Sequence, residues 1–81
     1  MRIIPNPNNG DFVLDITSEN PGKFIVKITD MTGRLLVERQ VLNSGNTTHL
    51  DISIARAQDG VYLLRLLSEE NLLVEKILVL K

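Results

Sequence analysis

The sequence predicts an all-β sandwich of about six or seven short strands. Apolar residues recur at every second position through most of the chain, which is the period of a strand with one buried face. Clusters of Gly, Pro, Asn, Asp and Ser separate these stretches at intervals of roughly 8 to 12 residues. The chain is 43% hydrophobic with 4% aromatics, so its core has to be built from Leu, Ile and Val. That composition favours strands.

Arg2 to Ile4 reads as a short first strand, halted by Pro5. Pro5 and Pro7 lock their own φ and bias Ile4 and Asn6 towards extended backbone, which excludes a helix. Asn8, Asn9 and Gly10 suit the positive φ values of a tight turn. Phe12, Leu14 and Ile16 alternate with Val13, Asp15 and Thr17 as a second strand, broken by Asn20-Pro21-Gly22. Phe24, Val26 and Ile28 alternate with Ile25, Lys27 and Thr29 as a third. Asp30-Met31-Thr32-Gly33 places Asp first and Gly fourth, the arrangement of a type I turn in a short hairpin with a glycine bulge, and leads into a strand from Leu35 to Leu42.

Asn43-Ser44-Gly45-Asn46 is the next turn, followed by Leu50, Ile52 and Ile54 alternating with His49, Asp51 and Ser53. Ala55-Arg56-Ala57-Gln58 favours helix, but Asp59-Gly60 stops it after about one turn, so the segment is a corner. Val61 to Leu67 and Leu72 to Leu80 form the last two strands, joined by Ser68-Glu69-Glu70-Asn71. Their expected core positions are Tyr62, Leu64 and Leu66 on one and Leu73, Ile77 and Val79 on the other. No internal repeat or low-complexity tract interrupts the series.

Size and charge narrow the function. A chain of 81 residues makes a single domain and buries only about 60% of its unfolded surface, leaving little room for an enclosed catalytic cleft. The net charge is -1 with neither sign clustered, which argues against nucleic-acid binding and against a charged membrane surface. No apolar run approaches the roughly 18 residues that span a bilayer, and no basic-then-apolar leader opens the sequence. Without cysteine there is no disulfide and no thiolate site for a metal.

Candidate chemistry is sparse. His49 stands alone, so a histidine-based catalytic pair or transition-metal site lacks partners. Asp11, Asp15, Asp30, Asp51 and Asp59 lie beside turns or on polar strand faces, and none belongs to the closely spaced acidic run of a calcium loop. Asn46-Thr47-Thr48 matches the N-glycosylation pattern, which its turn position explains without further function. The reading is a non-enzymatic domain with no cofactor and no metal assigned, a calcium site shared between distant loops being the one alternative left open.

The C-terminus stands apart. From Leu72 to Lys81 only Glu75, Lys76 and Lys81 are charged, whereas a strand with one wet face should alternate. Leu78 and Leu80 therefore need a cover: a neighbouring loop, or a partner that pairs with this strand if it is an edge. Self-association through that edge is a further expectation, and the segment is the main aggregation hazard of the chain.

Taken in order, Pro5-Asn6-Pro7 with Gly10 and Phe12, then Asp30 with Gly33-Arg34, then Gly60-Val61-Tyr62 and a final Lys76-Ile77-Leu78-Val79 resemble the C-terminal sorting domain of type IX secretion cargo of Bacteroidetes, the Por secretion tail of type A. The ordered set covers nearly the whole chain. The resemblance implies an immunoglobulin-like antiparallel β-sandwich of about seven strands. It implies a non-catalytic address recognised by an outer-membrane translocon and its shuttle protein, then removed by a surface sortase that cuts just upstream. The protein would pass through the periplasm and end at the cell surface or outside the cell. By position, Pro5, Asn6, Pro7 and Gly10 match the opening motif, Asp30, Gly33 and Arg34 the hairpin motif, and Gly60 and Tyr62 the strand-entry motif. Lys76, Ile77, Leu78, Val79, Leu80 and Lys81 match the terminal motif. Cargo of this family carries a passenger and a signal peptide, so residues 1 to 81 are expected to be a single domain taken from a longer secreted protein, with Met1 added.

Two rival readings remain at this level. One is an adhesion or carbohydrate-binding sandwich module, which usually presents exposed aromatics, whereas alternation assigns Phe12, Phe24 and Tyr62 to the core. The other is a structural spacer, which requires the terminal strand to be fully covered.

Overall fold

In the computed structural model, which describes residues 1–19, 21–69 and 71–81, the alternating segments form β1 (Arg2–Ile4), β2 (Asp11–Thr17), β3 (Gly22–Thr29), β4 (Leu35–Asn43), β5 (Thr47–Ser53), β6 (Gly60–Leu67) and β7 (Leu72–Val79). No helix forms among the described residues. Asn20 of the Asn20-Pro21-Gly22 break and Glu70 of the last turn signal lie outside the described residues. β5 starts three residues ahead of its apolar signal at Leu50, because Thr47 and Thr48 continue the ladder opposite Thr17 and Ile16.

The strands make two antiparallel sheets, one in the order β1-β2-β5 and one in the order β4-β3-β6-β7. The chain changes sheet after β2, after β4 and again after β5, so each sheet is stitched to the other and the apolar faces meet: an immunoglobulin-like sandwich. Register keeps the inward positions aligned, with Phe12 opposite Ile52, Val26 opposite Leu66, Ile28 opposite Leu64 and Tyr62 opposite Ile77. Leu14, Ile16, Val26, Ile28, Leu64, Ile77 and Val79 are wholly enclosed. Each such side chain contributes about 1.5–3 kcal/mol by leaving water. The expected cores of β2, β3, β5 and β6 are therefore in place, although Phe24 and Leu50 are only partly buried.

The hairpin between β3 and β4 has the geometry expected of it. The Gly33 amide donates to the Asp30 carbonyl at 3.1 Å, Gly33 holds φ at 92°, and the ladder shifts register after Ile28. Of Asn8-Asn9-Gly10, by contrast, only Gly10 takes a positive φ, of 107°. Asn8 instead runs extended beside Val79 and closes an Asx turn by accepting the Gly10 amide on its side chain at 2.9 Å. The Ile4–Pro5 and Asn6–Pro7 bonds are both cis.

One core expectation is overturned. Leu73 shares the inward face of β7 with Ile77 and Val79, yet 49% of it is exposed. The facing sheet offers only the three-residue β1 at that edge, and Leu73 lies beyond it, at its Met1 end. The first half of β7 consequently overhangs, and Leu73 lies at the rim of an open cavity of about 520 Å³ shared with Met1, Ile16, Phe24 and Leu66.

The two leucines should separate in an unfolding experiment. Leu64→Ala empties a closed site and should cost about 2–5 kcal/mol in urea denaturation, whereas Leu73→Ala should cost less than about 1.5 kcal/mol. Equal losses would mean that β7 is covered along its whole length.

Candidate functional site

Prolines at 5 and 7 cannot donate to a ladder, so the segment leaving β1 lacks the regular donors of a strand. The Asn6 side chain supplies them. Its Nδ2 donates to the Lys76 carbonyl at 3.0 Å and its Oδ1 accepts the Leu78 amide at 2.9 Å. One carboxamide thus plays the part of a peptide group on the outer edge of β7. Asn8 continues the contact with its own backbone, donating to the Leu78 carbonyl at 3.0 Å and accepting the Leu80 amide at 2.8 Å. The Asn8 side chain donates to the Pro5 carbonyl at 2.9 Å, which folds the segment against itself. Residues 5 to 8 therefore close the edge of β7 from Lys76 to Leu80.

Gly10 carries this clamp to the corner after β5. Its carbonyl accepts the Ile54 amide at 2.9 Å, and a Cβ at Gly10 would stand 2.8 Å from the Cβ of Ala57. Positive φ and crowding together require glycine there. In the corner itself Arg56 adopts a φ of 56°, in the left-handed region that arginine rarely occupies.

Tyr62 is buried at 8% exposure, and its hydroxyl donates to the Gln58 carbonyl and accepts the Gln58 amide, both at 2.9 Å. This is the tyrosine corner geometry of Greek-key sandwiches, in which a core ring ties down the loop before its own strand. Asp59 in the same corner accepts the Lys81 amide on Oδ1 at 2.7 Å, holding the end of the chain.

Asp30 organises the β3–β4 hairpin. Its Oδ1 accepts the Thr32 hydroxyl at 2.6 Å, the Thr32 amide at 2.9 Å and the Arg34 amide at 3.0 Å, while Oδ2 faces Arg34 Nε at 3.4 Å. These contacts, the Thr32 hydroxyl first, hold the carboxyl below its ordinary value of 3.8 against a smaller opposing effect of burial.

Asp30 and Arg34 of the hairpin motif and Gly60 and Tyr62 of the strand-entry motif meet at one end of the sandwich, with Gly10 of the opening motif against the same wall, whereas Asn6 lies along β7 and Pro5 lines a separate shallow cavity. Asp30, Arg34, Gly60 and Tyr62 line one cavity of about 510 Å³, with Ile54, Arg56, Ala57 and Asp59 completing its wall. Gly10 packs on that wall, and Lys81 is bound to it. Around it stand the exposed apolar Met31 and Leu80 and the Arg34 side chain, 74% exposed. Ile77 and Val79 belong to the core, while Lys76, Leu78 and Leu80 face outward. Asn8 and Arg56 were not among the expected site residues. An Asn two positions before a glycine is a readable Asx-turn signal, but nothing in the sequence announces a left-handed arginine.

The described residues hold no group of His, Cys, Asp and Glu suited to a metal ion. His49 lies elsewhere, on the outside of the three-stranded sheet, against Asp15 across the β2–β5 ladder. What the end of the sandwich offers is a mixed surface of guanidinium groups, backbone edge and apolar side chains.

The family model of the secretion system C-terminal sorting domain matches residues 2–80. The chain belongs to that family, the sorting tails of type IX secretion. No curated protein matches it as a relative. Family membership implies a protein exported across the outer membrane to the cell surface or the extracellular space, through interaction with the secretion machinery, and a non-catalytic role for this domain. No helix among the described residues is long and apolar enough to cross a membrane.

Two measurements check this geometry. Asn6→Ala removes both side-chain bonds to β7, at about 1 kcal/mol each, and should speed hydrogen exchange of the Leu78 amide at least about tenfold. An unchanged rate would show that Asn6 does not hold the edge. Because the folded pKa of Asp30 lies below its unfolded value, its contribution to stability is complete above that value and disappears as pH falls through the folded pKa. The stability gap between the wild type and Asp30→Asn should therefore be constant near neutrality and shrink below about pH 4. A gap that does not change with pH would contradict the role assigned to the carboxylate.

Proposed function

We propose that the end of the sandwich where the motifs converge, together with the outward face of β7, is the surface by which this sorting domain docks on the outer-membrane translocon and its shuttle protein. The convergence carries the reading. Residues as far apart in sequence as Asp30, Arg34, Gly60 and Tyr62 line one cavity, and Gly10 and Lys81 are fastened to its wall. Arg34 presents an exposed guanidinium there, suited to carboxylates or carbonyls of a protein partner. On β7, Leu72, Val74 and Leu78 remain 57%, 50% and 38% exposed, and Leu80 just beyond it 56%, so the outer face of the terminal strand stays open to a partner.

The domain acts as a folded address. Its passenger is joined ahead of Arg2, and a surface sortase removes the domain by cutting in the same region once the outer membrane is crossed. The sandwich core and the docking surface share the terminal strand: Ile77 and Val79 hold it in place, and its alternate residues meet the partner. The carbohydrate-binding alternative has little to work with, since Phe12 and Tyr62 are buried and Phe24 packs against the core.

The reading is tested by fusing residues 1 to 81 behind an exported reporter in a bacterium with a type IX system. Deleting the last residues would also remove Ile77 and Val79 from the core, so the informative variants are Arg34→Ala and Leu80→Ser, which change exposed side chains. Each should lower surface delivery by at least about fivefold, equivalent to about 1 kcal/mol of docking, with the reporter retained in the periplasm. Delivery at the wild-type level by both variants would overturn the assignment.

A further inference from the structure

The clamp formed by Asn6 and Asn8 stops halfway along β7. The backbone groups it engages are the carbonyl of Lys76, both groups of Leu78 and the amide of Leu80. A strand turns its amide and carbonyl to alternate sides with a period of two. Leu72 and Val74 therefore direct their amides and carbonyls to the same outer edge, and among the described residues nothing pairs with them there. Ile77 and Val79, together with Leu73 and Glu75, point theirs towards β6.

The other sheet edges are protected in the usual ways. β4 exposes Glu38, Arg39 and Gln40 in succession. β5 exposes Thr47, His49, Asp51 and Ser53. β1 has three residues, one of them Arg2, and is ended by Pro5. The second half of β7 is covered by Asn6 and Asn8. Leu72-Leu73-Val74 has an open backbone edge with no charge and side chains 57%, 49% and 50% exposed, whereas in the uncharged run of the β4 edge, Leu35-Leu36-Val37, both Leu36 and Val37 pack against the core.

We propose that this stretch pairs with the same stretch of a second copy of the chain, antiparallel, about a two-fold axis through Leu73. The open groups select both the occupant and the register. With Leu73 opposite Leu73 of the second copy, Leu72 meets Val74 of the second copy and Val74 meets Leu72. Every open amide and carbonyl of the two residues is then used, and only apolar side chains face one another. Glu75 falls opposite the neutral Asn71. An axis through Val74 would set Lys76 against Leu72 and ask for the Lys76 carbonyl, which Asn6 already occupies. An axis through Glu75 would oppose two carboxylates. The clamp thus acts as a register stop, because it blocks the Val74 alignment and leaves open the Leu73 alignment, in which only apolar side chains face one another. The result is a sheet continuous across both molecules, of the isologous kind expected for a two-fold dimer. Its small area makes the dimer weak. This pairing stands independently of the secretory reading, since it concerns the purified domain alone.

Sedimentation of the 81-residue chain from about 20 µM to about 1 mM should show a reversible monomer–dimer equilibrium, the regime of small transient interfaces. Over the same range the amides of Leu72 and Val74 should gain protection from hydrogen exchange as concentration rises. Val74→Pro removes an outward-pointing amide that β6 does not use, so it should abolish the dimer while retaining the far-ultraviolet spectrum of the folded chain. Val74→Lys should do the same by charge, and serves if the proline variant fails to fold. The natural sequence has no cysteine, which makes cross-linking a direct reading of register. Leu73→Cys should form an intermolecular disulfide with oxidised glutathione at least about tenfold faster than Val74→Cys, because a non-hydrogen-bonded pair brings Cα atoms to about 4.5 Å, within disulfide reach. A wild-type chain that stays monomeric at about 1 mM, or faster cross-linking through Val74→Cys, would overturn the proposal.

Discussion

The contact between the first segment of the chain and the last strand is the constraint on which the rest of the structure depends. β7 is the outermost strand of the four-stranded sheet, and it contributes Ile77 and Val79 to the core. An edge strand fixed on one side only is the part of a small sandwich most prone to peel away. Asn6 and Asn8 hold it on the second side, and Gly10 and Asp59 then lock the corner and chain end against it. The prolines flanking Asn6 keep the segment from becoming a regular strand, so the sheet ends here.

Buried polar residues secure both ends of the sandwich. At the motif-bearing end, Asn8 and Tyr62 satisfy their polar atoms on backbone groups of neighbouring loops. At the opposite end the buried Asn43 donates to the Ser18 carbonyl and accepts the Thr48 hydroxyl, tying together the connections that change sheets. No described buried side-chain polar atom is left without a partner. A core made almost wholly of Leu, Ile and Val specifies burial but few directional contacts, and these hydrogen bonds supply the directions.

β7 has two unlike halves. Its second half is anchored, bordered by the clamp and adjacent to the surface assigned to docking. Its first half overhangs the short β1, leaving Leu73 half exposed and the backbone at Leu72 and Val74 open. Fold and recognition therefore divide one strand between them: inward residues hold the domain together, and outward residues remain available to partners.

The sequence alone determined most of the secondary structure. Alternation located β2, β3, β5 and β6 because each pairs in the middle of a sheet or faces a full opposing layer, where period two maps directly onto burial. Asp30 and Gly33 announced their hairpin through local turn chemistry. Leu73 could not be read this way. Its periodicity is that of a core residue, and its exposure depends on how far a different strand, β1, extends across from it. Nor did local pattern show that Asn6, Asp59 and Lys81 would act at β7 and the corner, or that Arg56 would turn left-handed, since these follow from contacts between segments as much as 72 positions apart. The sequence decided which residues seek burial and where the chain turns. Only the tertiary structure decided which edges remained open, because an edge is defined by the neighbour a strand lacks.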